Sequence, residues 1–217
     1  MATTRTYGDG CAIARALDLV GERWALLVVR ELLLGPKRYT DLKKGLPNAS
    51  PNVLSERLRE LEQAGVVRRA KLPPPAGSRV YELTEWGHQL EGIVLSLGSW
   101  AALSPAPHPP GPIGADSLAL AMRALFDPGS AAGPEANYEL RLGDDRFRVV
   151  LSEGSIEVAR GEADRPAATI ESDPDTLNGV LWGGESLVEA ERTGRLTVKG
   201  DRDAAKRFLQ MFPMPTA

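Results

Sequence analysis

Five side chains in one stretch of this sequence carry groups able to pair with nucleic acid. Asn52, Ser55, Glu56, Arg59 and Gln63 share one face of the amphipathic helix predicted over 51–64. Their amide, hydroxyl, carboxylate and guanidinium groups are those that pair with base edges and phosphates in a major groove. The other face carries Leu54, Leu58, Leu61 and Gly65 and must be buried. Ser50 is a good N-cap and Pro51 suits the first helical position, so the helix start is well signalled. An ordinary surface helix has the same two-faced pattern, and only its surroundings distinguish the two cases.

Other chemistry has little to draw on. The sequence has one cysteine, Cys11, and two histidines, His88 and His108, which leaves no disulfide framework, no multi-cysteine metal site and no Cys-His pair close in sequence. No G-x-S-x-G or phosphate-loop pattern occurs, and the carboxylates over 162–175 read as turn and cap residues. No enzyme, cofactor or metal is expected. A composition of 42% hydrophobic and 25% charged residues is that of an ordinary globular protein, which excludes disorder and fibrous repeats. No apolar run reaches the ~18 residues of a spanning helix, and the first ten residues lack the build of a signal peptide. A cytoplasmic protein without a membrane partner is the expectation.

The charge is unevenly shared. Residues 1–105 carry 14 Lys and Arg against 11 Asp and Glu, whereas residues 106–217 carry 12 against 18. Within 37–79 the balance is 10 basic to 4 acidic, an excess suited to phosphates. Lys37 and Arg38, after the Gly35-Pro36 turn, read as phosphate clamps. Residues 104–114, with five prolines and two glycines in eleven positions, read as a stiff linker. It divides the chain into domains at 1–103 and 115–217.

Before the linker, helical spacing is found over 11–20, 24–34, 40–46, 51–64 and 86–103, with two short strands, Val66–Lys71 and Arg79–Leu83. Helix, turn, helix and hairpin in that order make a winged arrangement. After the linker comes an α+β pattern. Helices are predicted at 116–126, 174–181, 185–192 and 201–211, and strands at 138–142, 147–152, 155–159, 167–172 and 195–199.

The first hundred residues resemble the HxlR-type winged helix-turn-helix family. The likeness lies in Gly21-Glu22-Arg23-Trp24, Arg30-Glu31-Leu32-Leu33-Leu34-Gly35-Pro36, Arg38-Tyr39-Thr40-Asp41-Leu42, the run from Ser50 to Leu61, and Tyr81-Glu82-Leu83-Thr84. It implies a dimeric bacterial regulator that binds double-stranded DNA with the 51–64 helix in the major groove and the hairpin beside it. Lys37, Arg38, Ser50, Asn52, Ser55, Glu56, Arg59 and Arg79 are the expected contacts, Arg79 being the wing residue. The apolar stripe Trp86, Leu90, Ile93, Val94, Leu97 and Trp100 exceeds what one small domain needs, and the resemblance pairs that helix with the partner's first helix in a homodimer. Cys11 stands where some members carry an oxidant-sensing cysteine. Here Ala12 follows it instead of the frequent proline, and a buried, structural thiol is the expectation over a redox-active one.

Residues 116–211 resemble the sterol-carrier-protein-2-like fold through Asp173-Pro174-Asp175-Thr176-Leu177, Gly183-Gly184 and the run from Thr193 to Asp201. That resemblance implies a curved sheet around a cavity, with an apolar small-molecule effector or a protein contact as its purpose. Trp182, Phe208, Met211 and Phe212 are the candidate lining. The alternative is a lipid-binding or scaffolding protein whose winged domain serves dimerisation only.

Overall fold

The computed structural model describes residues 6–106, 111–131 and 135–214. Part of the predicted linker, with His108, lies outside the described residues. The chain forms two compact units, Met1–Val94 and Leu95–Ala217.

In the first unit, helices α1 (Ala12–Val20), α2 (Ala25–Leu32), α3 (Tyr39–Gly45) and α4 (Pro51–Gln63) precede a hairpin of β1 (Val67–Lys71) and β2 (Arg79–Leu83). The periodicity that predicts α4 acts as expected along most of its length: Leu54, Leu58 and Leu61 are buried, and α4 packs on α2, whose Val28, Val29 and Leu32 are buried too. Ser50 caps the helix, its Oγ accepting from the Val53 amide at 3.3 Å. Gly65 departs from the wheel. It is exposed at φ +75° and ends α4: the Gly65 amide donates to Glu62 O at 3.1 Å and the Val66 amide to Leu61 O at 2.9 Å. This is the paired geometry that favours a glycine after a helix.

The helix predicted over 86–103 is two. A short α5 (Glu85–His88) is capped by Thr84 and followed by α6 (Glu91–Ala102). Between them the Gln89 amide donates to Trp86 O and the Leu90 amide to Gly87 O, a tighter 3-10 spacing. Gly87 is pressed so closely on the Val66 carbonyl that a β-carbon there would clash. The division between the two units falls inside α6.

In the second unit, Ser99 of α6 donates its hydroxyl to Ala124 O at 2.7 Å at the end of α7 (Ala115–Ala124). A 3-10 turn (Pro128–Ala131) leads into β3 (Ala136–Leu142), β4 (Asp145–Ser152), β5 (Ser155–Arg160) and β6 (Ala168–Ser172). Helices α8 (Pro174–Trp182) and α9 (Leu187–Arg192), strand β7 (Leu196–Gly200) and helix α10 (Arg202–Leu209) follow. The sheet order is β5-β4-β3-β6-β7, with β3 and β6 parallel and the other pairs antiparallel, so the sheet is mixed. Asp173 and Asp201 cap α8 and α10 through their carboxylates, as the Asp-Pro and Gly-Asp sequences require.

Alternation along the strands sends Tyr138, Leu140 and Leu142, Phe147, Val149 and Leu151 to the core, where α7, α9 and α10 pack on the sheet. The other face is an ionic lattice, with Arg148 on Glu157, Arg141 on Glu139 and Lys199 on Glu171. Two residues expected to line a cavity are fully buried instead. Phe208 stacks on Tyr138 with ring centroids 4.4 Å apart, and Phe212 meets Phe208 edge-on at 5.1 Å. Trp182 is half-buried, its indole N–H donating to Phe212 O at 2.9 Å, and Met211 is half-buried beside it in the chain. Aromatic geometry of this kind adds specific attraction to area burial. Truncation of Phe208 to alanine is expected to cost the second unit about 3–5 kcal/mol, measured by urea unfolding followed through Trp182 fluorescence; an unchanged midpoint would refute the packing role.

Candidate nucleic-acid interface

The side chains expected to read bases stand on the solvent side of α4. Asn52, Ser55, Glu56 and Arg59 are all exposed. The helix is 13 residues long, about 20 Å at 1.5 Å per residue, enough to lie along a major groove roughly 12 Å wide. Arg59 is held loosely by Glu56, 3.7 Å away, and its side chain is 54% exposed, so it is available to an outside acceptor.

Tyr39, which the sequence reading passed over, fixes the entry to this helix. Its hydroxyl donates to Pro51 O at 3.0 Å and accepts from Ser55 Oγ at 3.3 Å, joining α3 to the first turn of α4. Arg57 was also passed over. It points away from the exposed face, nearly buried, and engages Glu60, Glu56 at 3.6 Å and Glu22 at 3.7 Å. Glu22 belongs to the turn between α1 and α2, where Trp24 adopts a left-handed φ of 79°. Arg57 thereby ties α4 to that elbow.

The wing is short. Leu72 and Ser78 close its tip, the Leu72 amide donating to Ser78 O at 2.9 Å, and the tip residues 73–78 carry no charge. The cations stand at its base. Lys71 and Arg79 are direct cross-strand partners, both exposed, and among the described residues neither meets a carboxylate. Like charges placed opposite each other destabilise a strand pair. Further along the ladder a cation is compensated: Arg68 faces Glu82, with Nε 2.7 Å from the carboxylate. Lys71 could have been found from the hairpin register, which the sequence reading did not work out.

Lys37 departs from its expected place. Its ammonium turns inward to Glu31 Oε2 at 2.5 Å and its side chain is 12% exposed, because the buried Glu31 carboxylate requires a cation. Arg38 does reach solvent at the start of α3, and so does Lys44 near its end; neither forms an ion pair among the described residues. The second unit is the opposite case. From Arg141 onward every lysine and arginine lies within 4.0 Å of a carboxylate.

Residues 19–108 match the HxlR-like helix-turn-helix family model. Over 87 residues the chain is 41% identical to YvaP of Bacillus subtilis, an uncharacterized HTH-type transcriptional regulator, covering 40% of this chain and 81% of that protein. The chain belongs to the HxlR-like helix-turn-helix family. It is also 38% identical over 86 residues to the HTH-type transcriptional regulator YodB of the same organism, covering 40% of this chain and 77% of YodB. The solved reduced form of YodB is 35% identical, covers 46% of this chain and 98% of its own, and superposes with a TM-score of 0.40. The second half of this HxlR-like chain matches a different model, the alkyl sulfatase C-terminal family, over residues 116–217. Among the described residues no helix is long and apolar enough to cross a membrane, and no three His, Cys, Asp or Glu are grouped to hold a metal ion.

Of the residues expected at a subunit contact in this HxlR-like chain, Ile93, Leu97 and Trp100 are exposed, and Leu90 and Val94 half-buried. On α1, Ile13 and Leu17 are exposed as well. Cys11, expected to be a buried small hydrophobe, is exposed at the N-cap of α1. The reason is its place ahead of the first turn, where none of the described elements covers it. The amides of Ile13 and Ala14 favour the thiolate and hold the pKa below that of an ordinary thiol. A lowered pKa extends the thiolate to lower pH. Alkylation of this sole cysteine by iodoacetamide, followed by mass spectrometry, is expected to show a midpoint below that of the same cysteine in the unfolded chain; a midpoint at or above it would refute the effect.

Proposed function

We propose that the chain is a homodimeric transcription regulator that contacts DNA through α4 and the wing and takes its input at the second unit. The observation that carries this reading is the distribution of free cations. Among the described residues Arg38, Lys44, Lys71 and Arg79, together with Arg15, Arg23 and Lys43, lack carboxylate partners in the unit with the exposed α4 face, while from Arg141 onward the second unit satisfies its own. A set of unpartnered cations with a like-charged pair across a hairpin suits a polyanion. Arg59, Asn52 and Ser55 then face base edges, Ser50 and the α4 start lie near a phosphate, and Glu56 steadies Arg59. Lys37 has no direct part in this interface. Duplexes enriched from a random-sequence library by the full chain supply the test ligand. Arg59→Ala is expected to weaken binding to the enriched site by about 1–3 kcal/mol while the protein still folds; unchanged affinity would remove Arg59 from the interface.

The exposed stripe of Ile93, Leu97 and Trp100, with Ile13 and Leu17, supports pairing of two copies through α6 and α1. Two-fold symmetry then presents two reading helices to half-sites about one helical turn apart. Leu97→Asp is expected to give monomers in sedimentation and to lose the enriched site. A wild-type chain that stays monomeric at micromolar concentration would contradict the dimer.

For the second unit the proposal is a sterol-carrier-protein-2-like module that binds an apolar effector. Because Phe208 and Phe212 fill the core, the effector site is the open surface groove of about 370 Å³ lined by Val180, Leu181, Leu187, Leu209, Phe212 and Pro213, with Glu185, Lys206 and Gln210. The exposed, acidified Cys11 thiol supports a second input by oxidation.

A further inference from the structure

Glu31 is the only acid on α2, and it is 2% exposed. A carboxylate leaves water only where cations and hydrogen bonds replace the solvent. Here Oε1 accepts from Arg30 Nη2 at 2.8 Å and Oε2 from Lys37 Nζ at 2.5 Å. The last residue of α3 makes room for the same oxygen: a β-carbon on Gly45 would collide with Oε2. One carboxylate thus meets α2, the end of α3 and the segment that follows α2.

That segment grips the wing. The Lys37 amide donates to Tyr81 O at 2.9 Å and the Tyr81 amide donates to Lys37 O at 2.8 Å, which adds Lys37 to the hairpin as a one-residue third strand. Tyr81 carries the Arg69 guanidinium 5.7 Å over its ring, and Arg69 reaches Glu62 of α4 at 3.2 Å. Lys37 therefore holds β2 with its main chain while Glu31 holds Lys37 by its side chain. Buried ion pairs add little net stability, since desolvation offsets attraction; what they supply is a unique geometry.

We infer that Glu31 is a positioning residue for the wing: through Lys37 and Tyr81 it sets where Lys71 and Arg79 stand relative to α4. The inference rests on the reading of the wing as a DNA contact. Its test is a double-mutant cycle on the full chain with the duplex enriched by the wild type, comparing Glu31→Gln, Arg79→Ala and both together. Glu31→Gln keeps the side-chain shape and removes the charge. It leaves Lys37 without its carboxylate, so its thermal midpoint should fall; at a temperature where it is still folded its affinity should fall about tenfold and its salt slope should shrink by roughly 2, the signature of one lost phosphate contact in each subunit of the dimer. Adding Arg79→Ala should weaken it no further than about twofold, because both changes act through the wing.

Wild-type affinity in Glu31→Gln, or losses that multiply fully with Arg79→Ala, would overturn the positioning role and leave the interface intact. A wild-type chain without DNA affinity would instead defeat the interface, and this inference with it. If Glu31→Gln fails to fold, the paired variant Glu31→Met with Lys37→Met, which removes both charges, should fold and show the same coupling. Failure of that variant to fold, or its binding like wild type, would assign Glu31 to the core alone.

Discussion

The reading surface depends on α4 being buried on one side only. Leu54, Leu58 and Leu61 anchor it against α2, and Arg57 ties it to the α1–α2 elbow through Glu22. Both attachments lie away from Asn52, Ser55 and Arg59, so the exposed face carries recognition groups on a backbone that packing holds still. Tyr39 adds a polar clasp at the helix start and the Gly65 turn sets its end. A recognition helix must be rigid and available at once, and a two-faced helix between a core and solvent meets both demands.

The two units treat charge differently, and that difference bears on function more than net charge does. The sheet of the second unit presents a polar face on which arginines and lysines alternate with carboxylates and satisfy one another. Arg160, reaching Asp116 and Asp145, does the same toward the core edge, and its pKa is raised by those carboxylates against the opposing effect of burial. Such a surface has little net attraction for phosphates. In the first unit the buried acid Glu31 consumes Lys37 and Arg30, Glu82 consumes Arg68 and Glu62 consumes Arg69. Among the cations left over are Arg38 and Lys44 at the α3 ends and Lys71 and Arg79 at the wing base. What matters is which charges remain after the internal pairs are made.

Much of this was legible in the sequence, and the misreadings have physical causes. Apolar spacing and the Ser-Pro, Asp-Pro and Gly-Asp starts located nearly every element, because caps and periodicity are local. Lys37 read as a phosphate clamp because a lysine after a Gly-Pro turn is usually exposed; the cause of its burial is Glu31, six residues earlier, whose own burial follows from its place beside Val28 and Leu32 on the inner face of α2. Gly65 continued the wheel arithmetically but had no Cβ to bury and served as a stop. Phe208 and Phe212 carried the right chemistry for a pocket lining, and sequence does not distinguish an aromatic ring that lines a space from one that fills it. Lys71 became visible only once the hairpin register placed it opposite Arg79.

The most direct measurement of the central claim is the salt dependence of binding to the enriched duplex. Each neutralised phosphate contributes a slope of about −0.9 in log K against log salt. If Arg38, Lys44, Lys71 and Arg79 each meet a phosphate in both subunits of a dimer, the slope should be about −7. A slope near zero, or one unchanged when these four residues are replaced by alanine, would contradict the account.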